Sequence, residues 1–179
     1  MSTTRRSGFV LLLAAAACLV GMMVSPATAS DNGGAAAMRA FDRDLISSMN
    51  AFRQAHGLRP LRLSTRLTSS ASQHSTEMAA RGYFGHTSAD GSRFDRRIAR
   101  YYPANSRYWA VGENLLWSSP DVSAADALQM WEHSPEHRAN LLAARWREIG
   151  IAAVHVGSAP GAYGGRPVTV VTADFGVRR

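Results

Sequence analysis

At 179 residues the chain has room for one ordinary domain, and 46% apolar against 18% charged residues excludes an intrinsically disordered one. All twenty basic residues are arginine, which excludes a lysine Schiff base or a P-loop lysine; they outnumber thirteen acids for a net charge of +7 but are scattered, so no specific nucleic-acid site is expected. The single cysteine, Cys18, can form neither an intramolecular disulfide nor a four-cysteine zinc site.

The first residues read as an address. Arg5 and Arg6 stand in an acid-free start, residues 9–24 are apolar or small, and Ala27-Thr28-Ala29 closes the stretch. That pattern describes a secretory signal peptide over residues 1–29, cleaved after Ala29, and hence a secreted chain with no transmembrane anchor after processing. A retained anchor is the alternative, but the apolar run is short for a span of roughly 20 residues. Arg5-Arg6 with Phe9 partly resembles a twin-arginine export signal, with the phenylalanine one position late. Residues 30–37, polar and glycine-containing, read as a flexible linker.

One domain is expected over residues 38–177. Phe41, Leu45, Met49 and Phe52 recur at helical spacing, and Gly57 would end that helix. Ser64 can cap a second helix whose inner face is Leu67, Ala71, His74 and Met78, closed by Gly82. A loop over 83–91 contains His86, and residues 94–102 read as a short arginine-rich helix stopped by Pro103. Residues 111–115 form a short extended piece. Asp121 or Ser123 starts a third long helix through Leu128 and Trp131, which Pro135 interrupts. Two β-rich runs, 149–156 and 168–175, read as an antiparallel hairpin with a long connection. Helices that precede and surround a few strands place the chain in the α+β class.

Three titratable residues stand out. His56 reads as a helix C-cap, His74 as a satisfied core histidine, and His155 as a strand residue facing solvent or a neighbour. His86 differs because its Gly/Ser/Thr loop can present a side chain to a cleft. Glu113 differs because an acid in an apolar extended segment is costly to bury without a partner. His137 stands at a helix start, which disfavours the charged ring. His133 and His137 imitate the H-E-x-x-H spacing, but serine follows His133 and Pro135 breaks the turn.

In order, Phe84-Gly85-His86-Thr87-Ser88 with Gly91, Gly112-Glu113-Asn114-Leu115, then Trp131 with Ser134-Pro135-Glu136-His137-Arg138-Ala139-Asn140-Leu141-Leu142, resemble the CAP superfamily. Ile149-Gly150-Ile151 and a last strand with Phe175-Gly176 complete the likeness, which is to the disulfide-free bacterial branch of these SCP-like extracellular domains. The resemblance implies an α-β-α sandwich with a small antiparallel sheet between helical layers. It also implies a cleft where two histidines and two glutamates can hold a divalent cation such as zinc. By position His86 and His137 match the histidines and Glu113 one glutamate; the other falls on Ser134. Glu132 and Glu136 lie nearby as substitutes, and neither matches by position.

Two imidazoles, a carboxylate and a water would satisfy weakly bound tetrahedral zinc. The same three side chains could equally form a hydrogen-bond cluster tying the His86 loop to the His137 turn. No G-x-S-x-G motif is present, so catalysis is the weaker reading. Three functions remain open. The first is a secreted binding module for lipid, glycan, cell-wall fragment or protein. The second is a metal-assisted hydrolase of peptide or wall polymer, and the third a structural domain whose basic surface adheres to the envelope.

Overall fold

Helix α1 (Ala27–Ala55) buries Phe41, Leu45 and Met49 on the side that the periodicity marks. The computed structural model describes residues 27–105 and 107–179. Most of the expected signal peptide, residues 1–26, therefore lies outside the described residues. Residues 30–37, expected as a linker, instead continue α1: Ala35, Ala36 and Ala37 are strong helix formers and offset Gly33 and Gly34.

Strand β1 (Arg62–Leu63) leads into α2 (Thr65–Arg81), where the Ser64 hydroxyl accepts from Leu67 N at the start. Gly82, at φ +70°, ends the helix and donates to Met78 O. A Cβ there would lie 2.6 Å from the Pro160 backbone, so glycine is required by conformation and by space. The short helix α3 is Phe94–Tyr101. Strand β2 (Trp109–Ser118) is twice as long as the extended piece expected at 111–115, because all ten residues pair with the last strand. Helix α4 (Ala124–His133) is capped by Ser123, and Pro135 opens α5 (Pro135–Leu141), so the interruption falls where proline places it. Strands β3 (Glu148–Val156) and β4 (Val168–Arg178) form the expected hairpin.

The sheet order is β1-β3-β4-β2, antiparallel except for the two-residue parallel contact of β1 with β3. Alternate residues of each strand face opposite helical layers. Leu116, Val171, Ala173 and Phe175 join Leu45, Met49, Trp131 and Trp146 in the core under α1, α4 and α5. The other face packs on α2 and α3, closely enough that a Cβ on Gly150 would fall 2.0 Å from Thr68 N. This is an α-β-α sandwich. Strand β2 forms one edge of the sheet, and the site lies along that edge. Among the described residues no helix is long and apolar enough to cross a membrane.

Candidate functional site

Three successive residues of β2 reach both layers. Gly112 and Asn114 point toward α5 and Glu113 toward α2 and α3. A Cβ on Gly112 would lie 2.7 Å from the Trp146 ring and 2.9 Å from Asn140 Oδ1, so only glycine lets α5 approach this closely. Asn114 donates to His137 O and accepts from Asn140 Nδ2, while Trp146 Nε1 donates to Asn140 O and Oδ1. That chain of amides fixes the turn bearing His137.

On the other face the Glu113 side chain is 1% exposed and both its oxygens are engaged. Oε1 accepts from His86 Nδ1 at 2.7 Å. Oε2 accepts from Arg97, a guanidinium with no exposed surface, in a very short contact. Because a carboxylate only accepts, His86 Nδ1 carries the proton of this bond. Arg97 also donates to His86 O and Ser88 Oγ, so one cation holds both the carboxylate and the loop carrying the histidine. Glu77 steadies that loop from α2 by accepting from Tyr83 OH and Ala89 N.

Two further titratable groups lie beneath. His74, fully buried, bonds Gly85 O through Nε2 and lies 4.0 Å from Glu113; burial lowers its pKa to about 4, against the pull of Glu113. It is neutral there, and among the described residues its Nδ1 has no partner, so the expectation of a fully satisfied core histidine is corrected. Asp174 stands directly across from Glu113 on β4, fully buried, with neither oxygen in a hydrogen bond of normal geometry to a described residue. Burial, then the Glu113 charge, push its pKa well above the ordinary carboxylate value, which favours the protonated form.

His86, Glu113 and His137 line one cleft of about 510 Å³, with Glu136, Arg145 and Phe94 on its walls. The structure thus brings together the three candidates matched by position. Glu136 borders the cleft; Glu132 and Ser134 do not. Burial and the neighbouring His86 lower the His137 pKa, with Glu136 opposing, which gives the neutral ring expected from its helix start a different cause. His56 and His133 bond carbonyls four residues back, and His155 bonds Thr169.

The donors do not fit a divalent cation. Among the described residues no three His, Cys, Asp or Glu side chains are grouped to hold a metal. Both Glu113 oxygens are committed, one to a fixed positive charge that would repel an incoming ion. Sequence reasoning missed Arg97 and Asp174. The signal for Arg97 was its place one residue before Ile98 and three after Phe94, on the apolar side of a short helix; for Asp174 it was a lone acid in a buried strand.

Residues 46–175 match the CAP family, described as the cysteine-rich secretory protein family. The chain belongs to that family. It is 30% identical over 139 residues to the uncharacterized protein YkwD of Bacillus subtilis, covering 75% of this chain and 52% of that protein. It is 30% identical over 98 residues to human Golgi-associated plant pathogenesis-related protein 1, covering 55% and 53%. The chain thus spans about half the length of these two relatives. In solved structures the fold recurs in an extracellular SCP-domain protein of Bacillus anthracis, with TM-score 0.62, 24% identity, and 79% of this chain on 41% of that one. It recurs also in an outer surface protein of Borrelia burgdorferi, with TM-score 0.59, 20% identity, and coverage of 76% and 92%.

Proposed function

We propose that this CAP domain is an exported binding module that recognises a polar wall or glycan fragment in the cleft along β2. One observation carries the reading. The charged centre of the site is closed, with Glu113 bonded to His86 and Arg97, while the His86 ring, held through Nδ1, is half exposed and lines the cleft. None of the cleft-lining residues is serine, threonine or cysteine, so no hydroxyl or thiol nucleophile is at hand. Export rests on the Arg5-Arg6 start, the apolar stretch and Ala27-Thr28-Ala29, and is supported by extracellular and outer-surface neighbours of the same fold. N-terminal sequencing of the secreted protein should begin at Ser30.

Co-sedimentation with purified wall fragments tests the binding role. His86→Ala and His137→Ala should each weaken retention about tenfold while folding like the parent, in line with the loss of one hydrogen bond to ligand. Equal retention of all three proteins would refute it. A second reading draws on the His86–Glu113 pair, in which a carboxylate orients an imidazole as in a general base. Release of soluble fragments by the parent, abolished in His86→Ala, would favour hydrolysis.

A further inference from the structure

A larger groove, about 720 Å³, lies between α1, α2 and β3 and shares no lining residue with the β2 cleft. At its centre two polar side chains have unused hydrogen-bonding capacity. Asp42 Oδ1 accepts from Ala153 N at 2.9 Å, while Oδ2 makes no hydrogen bond to a described residue. Thr68, on the facing wall, has a buried hydroxyl without a partner among the described residues. The Ala153 N–H points away from β4, on the side where β1 covers only Glu148 and Ile149, and its carbonyl lies on the same backbone edge. Ala37, Met38, Ala152 and Val154 form an aliphatic stretch of its wall.

We propose that this groove binds an aliphatic primary amine, with its ammonium at Asp42 and Thr68 and its chain along Met38 and Val154. A carboxylate and a carbonyl accept, and a hydroxyl can, so together they suit a donor, and an ammonium has three N–H bonds to give. Charge points the same way. Burial raises the Asp42 pKa to about 7, against the Ala153 N–H and Arg43, so the carboxylate lacks a sufficient counter-charge and an ammonium supplies one. The other charged or titratable groups around it are Arg39 at the rim, His155 on β3 and Asp121 before α4. The chain has no lysine, so no side chain of its own or of a second copy offers a primary ammonium. The volume suits a small molecule, which fills cavities of roughly 300–1,000 Å³.

Titration of the folded chain with n-hexylammonium, followed by amide NMR, should shift Met38 and Ala153 saturably. The near-isosteric n-hexanol, which lacks the charge, should bind about tenfold more weakly. Asp42→Asn keeps an acceptor for Ala153 N–H and should lose about the same factor for hexylammonium; Thr68→Val should lose a smaller one. Equal affinity for amine and alcohol, or unchanged affinity in both variants, overturns the proposal. So do shifts confined to His86 and His137, which would place the amine in the other cleft.

Discussion

On the α1 side of the sheet, Leu116, Val171, Ala173 and Phe175 pack against Trp131 and Trp146 in an apolar core. On the α2 side, neighbouring residues of the same strands are Glu113, Thr172 and Asp174, facing His74 and Arg97. Period-two alternation alone separates the two environments, and it lets one pair of strands do both jobs. The apolar face carries stability without needing any partner atom by atom. The polar face is ordered by complementarity: the Arg97 guanidinium pairs with the Glu113 carboxylate, the His74 imidazole is neutral, and burial favours the protonated form of Asp174. Such a cluster contributes position more than stability, because desolvating its members offsets much of their attraction.

The contrast is broken most severely at Arg97. Arg97→Met fills similar volume but leaves Glu113 buried without its cation, and should cost about 3–5 kcal/mol in chemical denaturation. That would match Trp131→Ala on the apolar face, where a cavity costs about 3–5 kcal/mol. A loss under about 1 kcal/mol for Arg97→Met would show that the ion pair is dispensable. Glu113→Gln keeps the shape but leaves the buried Arg97 cation unpaired, so a comparable loss of about 3–5 kcal/mol is expected, with His86 released from its fixed tautomer. Nitrogen-detected NMR of the His86 ring reads that release directly.

Asp174→Asn should change stability least in acid, below the ordinary carboxylate range, because the amide imitates a protonated acid. Its effect appears with pH. A carboxyl whose pKa is raised by folding stabilises the fold below its ordinary range, and that stability is lost as pH rises toward the folded value. The parent should therefore lose stability as pH rises above the ordinary carboxylate range, and Asp174→Asn should not. His74 works in the opposite sense: with its pKa lowered from 6.5 to about 4, stability is full above about 6.5 and falls as pH drops through 4. A His74→Gln variant with the parent's acid sensitivity would contradict this.

Much of the fold was legible because its determinants are local. The Ser64 and Ser123 caps, Gly82 at positive φ, Pro135 and the helical spacing of Phe41, Leu45 and Met49 act within a turn or two of themselves. Residues 30–37 were misread because two glycines and polar neighbours weigh toward a linker, while their continuity with α1 depends on a helix nucleated further on. Strand β2 was underestimated because its length is set by pairing with β4, far along the chain, in register from Trp109–Arg178 to Ser118–Thr169. The cleft residues were legible by motif, since His86, Glu113 and His137 line one space. What joins them was not. Arg97 and Asp174 matter through contacts across α3, β2 and β4, and nothing in their local sequence states which acid or base they will face.

Glu113 is paired from within by Arg97 and positions His86. A double-mutant cycle in chemical denaturation, with Glu113→Gln, Arg97→Met and both together, run in chelator and again in excess zinc, tests it most directly. The account predicts a coupling of about 2 kcal/mol or more between the two sites, the same in both solutions. Additive single losses, or a parent that gains stability with zinc only while Glu113 is intact, would contradict it.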